Sequence, residues 1–255
     1  MTQTSRKFPY GSFISNYAQG LKLSNNAVTP DEQLDVAVGS ILDSTGTFQL
    51  SLDTAVTIDV TNNGLNGLDA GTLAASKLYA VFLVSDPVTL QASGAMLSLS
   101  TTAPVMPFGY SAFALIGYAV SDATADLLLG YWTAGNGGTR QFTYDAPQVT
   151  SITAGAATSY TAVALTTLVP AVEDTRVSIA FDMTPAAASR IMSLQPFGAV
   201  GDAVSITSQV TAVHVTGNVE VGAKLNAAAP SIEYKWSAGG GDAVALNVAG
   251  YQFYI

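Results

Sequence analysis

The chain has 255 residues, which is enough for one large domain or two modest ones, and 49% of them are hydrophobic. Only 11% are charged, against about 25% in an ordinary soluble domain, and the formal net charge is −9. The lack of any Lys/Arg cluster argues against nucleic acid as a partner, and the lack of cysteine excludes disulfides and thiolate metal sites.

Residues 1–20 carry aromatic side chains at Phe8, Tyr10, Phe13 and Tyr17. We predict that this segment is an N-terminal arm, with a terminal strand of the first sheet as the alternative. It has no apolar stretch of the kind found in a signal peptide, and no later run reaches the roughly 18 apolar residues that span a bilayer. We therefore expect synthesis in the cytoplasm and no membrane insertion.

Residues 21–147 are predicted to form a first β-rich module. Apolar and polar side chains alternate in segments such as Leu34–Val38, which is typical of a strand with one buried face. Leu78–Val84 is almost continuously apolar, which predicts a central strand covered on both faces. Ala95–Leu99 is predicted to be its hairpin neighbour. Prolines in the connection that follows prevent regular pairing, and Ala112–Val120 is predicted to be a further strand.

The segment Asp145–Gln148 is the predicted boundary, and residues 148–255 are predicted to form a second module. Short strands with turn residues between them indicate a β-sandwich or jelly roll, so the predicted class is all-β with two β-rich modules. Thr184–Met192 is read either as two turns of helix or as a loop. The predicted strands are Thr161–Leu168, Arg176–Met183, Ile191–Pro196, Ser205–Val215, Asn218–Val221, Ser231–Trp236 and Gly250–Ile255.

Catalytic groups are hard to assign. His214 is the only histidine, and no Gly-x-Ser-x-Gly elbow marks a nucleophile for it, so we predict a surface or interstrand histidine. A pair of carboxylates would suffice for a glycosidase, but solvent-facing charges explain the same pattern better. The acidic turn Asp43–Gly46 lacks the later carboxylate of a calcium loop, so no metal or cofactor is predicted. The acidic residues considered for a carboxylate pair or a calcium site are Asp31, Glu32, Asp35, Asp43, Asp53 and Asp59.

Aromatic residues gather in the second half of the first module, where they would form either core or an interaction surface for glycan or protein. The predicted surface consists of Tyr110, Tyr118, Tyr131 and Trp132. The other aromatic residues of this region are Phe113, Phe142 and Tyr144.

Several short motifs of the first module follow one another in a fixed order. They are Leu21–Asn25, Leu34–Ser40, Asp43–Gly46, Gly67–Gly71, Leu78–Val84, Ala103–Pro107 with Tyr110, and Ile116–Gly117. This order, over residues 20–145, resembles a segment of structural proteins of tailed bacteriophages, especially tail-fibre and other virion appendage proteins. In that family two arginines usually precede the Ile-Gly pair, whereas Phe113–Leu115 stands there in this chain.

The resemblance implies a virion protein without enzymatic activity, in a homotrimeric fibre or other appendage on tail or capsid. It would assemble with itself and other virion proteins and contact a host-surface glycan or protein. The low charge content suits such an assembly, because surface that lacks charge can be covered by other copies. The alternatives are a capsid decoration or cement protein, a glycan depolymerase, for which the chain lacks the expected repeats, and a secreted carbohydrate-binding module, for which we expect an export signal.

Overall fold

The computed structural model describes residues 6–7, 18–86, 88, 91–135, 138–201, 204–209, 213–226, 228–238 and 241–255. These residues form twenty β-strands and no α-helix, which confirms the predicted all-β class. No helix in this part of the chain is long and apolar enough to cross a membrane. The chain divides into two compact units, Met1–Gln141 with Tyr254–Ile255 (unit 1) and Phe142–Phe253 (unit 2).

Unit 1 contains three antiparallel sheets, with strand orders β1-β6-β5-β2, β3-β4-β7 and β10-β8-β9. Its strands, in chain order, are β1 (Arg6–Lys7), β2 (Ala18–Gly20), β3 (Leu23–Asn25), β4 (Gln33–Val36), β5 (Gly39–Leu42), β6 (Phe48–Leu52), β7 (Val56–Asp59), β8 (Leu78–Asp86), β9 (Gln91–Ser98), β10 (Ala112–Val120) and β11 (Gly130–Ala134).

Strand β8 is the centre of unit 1. Residues 79–86 are all buried, and β8 lies between β9 and β10, so the predicted central strand is confirmed. Strand β10 has an irregular register between Leu115 and Gly117, which leaves Ile116 without a Cα partner on β8. Gly117 is required there, because a Cβ at this position would lie 2.6 Å from Leu23 Cδ1.

A buried arginine, Arg140, donates hydrogen bonds to backbone carbonyls at two irregular positions of unit 1. Arg140 Nε donates to the carbonyl of Ile116 at 3.1 Å, and a terminal nitrogen of the same guanidinium donates to Gly20 O at 3.3 Å. Gly20 and Leu21 have positive φ angles of 67° and 55°, where the chain turns from β2 into β3. Burial lowers the pKa of Arg140. The guanidinium thus satisfies carbonyls at a kink and at an irregular strand position, and such buried acceptors need a donor.

Unit 2 is a β-sandwich, as predicted. One sheet contains β12, β20, β14 and β17 in that order, and the other has the order β13-β19-β15-β16, with β18 on β19. Buried side chains alternate along β14 and β19, the pattern of strands with one face in a core. The strands are β12 (Thr139–Val149), β13 (Thr161–Ala164), β14 (Arg176–Thr184), β15 (Ile191–Pro196), β16 (Val204–Thr207), β17 (Val215–Gly222), β18 (Lys224–Asn226), β19 (Ala229–Trp236) and β20 (Ala243–Tyr254).

Two predicted boundaries differ from the structure. The predicted module boundary at Asp145–Gln148 lies within β12, and the compact units divide earlier in the same strand, between Gln141 and Phe142. Pro147 is exposed in β12, a setting in which a missing N–H costs little. In the predicted arm, Arg6–Lys7 and Ala18–Gly20 are strands paired with β6 and β5. The aromatic residues between them lie outside the described residues.

In unit 2 the structure corrects one predicted strand and decides between the helix and the loop predicted after Thr184. The predicted strand Ser205–Val215 is divided, because Val204–Thr207 pairs with β15 and Val215–Gly222 pairs with β14; residues 210–212 lie outside the described part. The segment after Thr184 is a loop and not a helix. Asp242 explains this choice, since its buried carboxylate accepts a hydrogen bond from Ala186 N at 2.7 Å and lies 3.3 Å from Arg190 Nε.

Candidate functional site

The connection between β9 and β10, residues 99–111, is held in place by a carboxylate from elsewhere in unit 1. Asp69 Oδ2 accepts hydrogen bonds from Ser98 Oγ at 2.6 Å and from Val105 N at 2.9 Å. Ser98 Oγ in turn accepts one from Ser100 N at 3.0 Å. At the other end, Ser111 Oγ donates to Asp86 Oδ1 at 3.1 Å. The 99–111 loop is therefore fixed at its start, middle and end.

The tip of the 99–111 loop presents apolar side chains to solvent. Tyr110 N donates to Pro107 O at 3.1 Å, and Gly109 has a φ of 86°, which fits a type II turn with Phe108 and Gly109 at its centre. Phe108 is fully exposed and Val105 is exposed as well. An anchored loop that shows a whole phenyl ring to water is typical of a binding surface.

A half-open pocket of about 360 Å³ lies beside this loop in unit 1. Its base includes Phe82 and Phe113, whose rings meet edge to face with centroids 5.7 Å apart. Leu42 and Ser44 of the β5–β6 hairpin form another side, and Thr102 of the 99–111 loop forms part of its lining. We call this the hairpin pocket; its size and mixed lining are those of a ligand or side-chain binding site.

Asp43 also lines the hairpin pocket, but its carboxylate is fully used by the hairpin turn. Oδ1 accepts hydrogen bonds from Thr47 N at 2.7 Å and Phe48 N at 2.8 Å, and Oδ2 accepts one from Thr45 Oγ1 at 2.6 Å. The acidic turn is therefore a capped hairpin. In the described part of the chain, no three His, Asp or Glu side chains cluster in a way that could hold a metal ion.

Two of the four predicted surface aromatics are core residues. Tyr118 is only 2% exposed and Trp132 only 6% exposed, and Trp132 Nε1 donates to Tyr118 O at 3.1 Å. Burial raises the pKa of Tyr118 to about 12. Neither residue can belong to an exposed interaction surface, because Tyr118 lies in a fully buried part of β10 and Trp132 lies on the inward face of β11.

The other two predicted aromatics are accessible, but the structure does not place all four together. Tyr131 is 57% exposed and has Lys22 Nζ 4.5 Å from its ring centroid, a cation–π contact that restrains the ring. Tyr110 is half-buried at the end of the 99–111 loop. Burial, together with the charge of Asp86, raises the pKa of its hydroxyl.

His214 lies just before β17 in unit 2 and has a carboxylate beside it. Its Nδ1 is 2.8 Å from Asp182 Oδ1, and its Nε2 is 3.5 Å from Thr184 Oγ1. A hydroxyl, an imidazole and a carboxylate thus follow one another in the order of a catalytic triad. The His214 and Asp182 side chains, however, are 68% and 44% exposed. A triad works in a site that excludes water, and these two side chains are open to it. The group is a surface hydrogen-bonded pair, which agrees with the predicted position of His214.

The carboxylates of the β3-β4-β7 sheet are bound to neutral neighbours. Asp35 accepts hydrogen bonds from Asn26 Nδ2 at 3.1 Å and Thr57 Oγ1 at 2.6 Å. Asp59 accepts hydrogen bonds from Thr61 Oγ1 at 2.6 Å and Thr61 N at 2.9 Å, and these lower its pKa. A glycosidase acid needs a raised pKa, so Asp59 has the wrong electrostatic setting for that role.

The exposed residues that matter most, Phe108 and Val105, were absent from the predicted surface. The available signal was the Pro104–Pro107 segment, which breaks strand pairing and so leaves its apolar residues without a core face. Tyr118 and Trp132, by contrast, stand within predicted strands, where an aromatic residue is more often buried.

Comparison with known proteins gives a limited result. No family model and no curated protein matches this chain. A carbohydrate-binding module from Cellvibrio mixtus lichenase 5A, in complex with cellotriose, is 13% identical with a TM-score of 0.24, over 47% of this chain and 86% of that one. TmCBM61 with β-1,4-galactotriose is 11% identical with a TM-score of 0.23, over 51% and 72%. An exo-β-1,3-galactanase from Phanerochaete chrysosporium is 11% identical with a TM-score of 0.21, over 92% and 56%. With TM-scores far below 0.5, function is argued from the site itself.

Proposed function

We propose that this chain is a structural protein of a tailed-bacteriophage particle, part of a trimeric fibre or other appendage on tail or capsid, without catalytic activity. The observation that carries the binding role is the 99–111 loop, whose anchored backbone presents Phe108 and Val105 to solvent. The virion setting is supported by the ordered motifs of residues 20–145 and by the low charge content. Asp69 and Val105, which belong to two of those motifs, are joined by a hydrogen bond.

A non-catalytic role is supported by the chemistry of the polar groups. The imidazole of His214 and its partner Asp182 are open to water, and Asp59 is held by hydrogen bonds that lower its pKa. Neither arrangement supplies the dry, preorganised environment on which acid–base or nucleophilic catalysis depends. If the purified protein depolymerises host polysaccharide, and an Asp35→Asn, Asp59→Asn or His214→Ala variant abolishes that turnover, the non-enzymatic proposal fails.

Contact with a host-surface glycan or protein is a second function of the same appendage. The observation that favours it is Tyr131, whose exposed ring is restrained by Lys22 and can stack against a partner. We expect the purified protein to bind host cells and a Tyr131→Ala variant to bind them less tightly. A Tyr254→Ala variant is the matched control, because Tyr254 is 51% exposed. Equal loss in both variants would overturn the assignment to Tyr131.

The virion proposal is tested on purified particles. Mass spectrometry should detect the chain in particles freed of unassembled protein, and quantification should give a few copies per particle. A copy number that matches the capsomers would replace the appendage with a shell decoration protein. Absence from purified particles would overturn the virion role.

A further inference from the structure

Unit 1 carries an exposed aromatic side chain on a rigid support. Phe108 is fully exposed at the centre of its turn, and the loop beneath it is fixed through Val105 N and Ser98 Oγ to Asp69. Burial of a phenyl side chain is worth about 1.5–3 kcal/mol. Because the loop is already ordered, a partner that covers Phe108 has little conformational entropy to remove.

The same unit carries a pocket that suits a phenyl ring. An enclosed cavity of about 150 Å³ is large enough for benzene, and the hairpin pocket measures about 360 Å³. The Phe82–Phe113 pair in its lining meets edge to face, and aromatic rings add to such clusters in edge-to-face or offset geometry. The pocket therefore offers both the space and the lining for a third ring.

Charge decides which partner fits this surface. Residues 99–111 contain no Asp, Glu, Lys or Arg, while the whole chain has a net charge of −9. A basic partner would be attracted to acidic surface elsewhere, and two acidic copies approach most easily where both surfaces are uncharged. The carboxylate of Asp43 in the pocket lining accepts three hydrogen bonds within its own turn, so it is already occupied and does not need an ion-pair partner. The uncharged loop is thus matched to a mostly apolar pocket of the same chain.

We propose that Phe108 of one copy inserts into the hairpin pocket of a second copy of this chain, next to the Phe82–Phe113 pair. Thr101 and Thr102 line the pocket and also belong to the 99–111 loop, so the receiving pocket adjoins the loop that carries the inserting ring. Such an arrangement lets each copy give one ring and receive one around a symmetry axis, which closes the assembly. The inference deepens the self-association in the proposed function and does not depend on the virion role.

The absence of cysteine allows a direct cross-linking test. Two single variants that both keep Phe108, Val105→Cys and Ser44→Cys, are mixed with oxidised glutathione as the electron acceptor, and each disulfide is identified by peptide mass spectrometry. We expect the 105–44 disulfide to form several-fold faster than the disulfide between Ser44→Cys and the control Val200→Cys, since Val105 is exposed beside Phe108 and Val200 is 95% exposed in unit 2. Equal rates would overturn the proposal.

A second measurement uses association without cross-links. Phe108→Ser should raise the dissociation constant of the oligomer about tenfold or more, as for loss of an interface anchor, while Val200→Ser leaves it unchanged. A parent chain that stays monomeric at all concentrations overturns both the inference and the proposed self-association. An oligomer that Phe108→Ser does not weaken overturns the inference alone, and detection of the chain in particles is unaffected by either result.

Discussion

The carboxylate of Asp69 accepts a hydrogen bond from the backbone nitrogen of Val105 at 2.9 Å, and the same oxygen accepts one from Ser98 Oγ at 2.6 Å. These bonds join segments far apart in sequence and fix the loop that exposes Phe108. Asp69 is thus a positioning residue: it touches no partner, yet it determines where the exposed ring stands.

Replacing Asp69 with alanine should release the 99–111 loop. Two hydrogen bonds to a carboxylate are lost, and we expect the free energy of unfolding to fall by about 1–3 kcal/mol in urea titrations. Amide hydrogen exchange at Val105 should accelerate far more than exchange along β8. Asp53→Ala is the control, because Asp53 is exposed. Unchanged exchange at Val105 would show that the carboxylate does not hold the loop.

Replacing Arg140 with methionine should destabilise unit 1. The carbonyls of Ile116 and Gly20 would lose their donor, and we expect a loss of about 2–4 kcal/mol in the free energy of unfolding. Arg140→Lys should recover only part of this, since an ammonium lacks the forked geometry of a guanidinium. Arg176→Met is the control, because the side chain of Arg176 is exposed at the start of β14. A lysine variant as stable as the parent would contradict the role of the fork.

The sequence alone was enough to predict the strands in which the pattern of apolar and polar residues follows the burial of their faces. The alternating segments gave the all-β class, and the apolar run at Leu78–Val84 gave the central strand. It was not sufficient where tertiary contacts decide. The module boundary was predicted at Asp145–Gln148, yet β12 continues through this segment. Tyr118 and Tyr131 carry the same side chain, but Tyr118 lies among the buried residues of β10, whereas Tyr131 lies on the exposed face of β11, next to the buried Trp132.

The site was harder to predict than the fold for a related reason. Phe108 has no repeating neighbour pattern, and its exposure follows from hydrogen bonds that Asp69 makes to residues distant in the chain. Such non-local constraints leave no periodic signal in sequence. The proline-flanked connection indicated only that regular strand pairing ends there.

Replacing Gly117 with alanine should overpack unit 1. The added Cβ would lie 2.6 Å from Leu23 Cδ1, and Leu23 is buried. We expect a loss of about 1–3 kcal/mol. In the double variant with Leu23→Val the clash is relieved, so the combined loss should be smaller than the sum of the two single losses. If the losses in the free energy of unfolding, measured in urea titrations, are additive, the strain does not come from the contact between the added Cβ and Leu23.

Alkaline titration should detect the buried tyrosines through the stability of the fold. Burial raises the pKa of Tyr118 from the usual 10 to about 12 and raises that of Tyr144 as well. The folded state therefore retains these protons when the unfolded state has lost them, so the stabilisation is complete below pH 10 and is lost as the pH rises through 12.

For Tyr118 this amounts to on the order of 2 kcal/mol, measured as the free energy of unfolding in urea between pH 8 and 12. Tyr118→Phe should flatten the decline, because the ionisable hydroxyl is removed from the core. A decline that Tyr118→Phe leaves as steep as in the parent would contradict the burial of Tyr118, on which the distinction between core and surface in the candidate site rests.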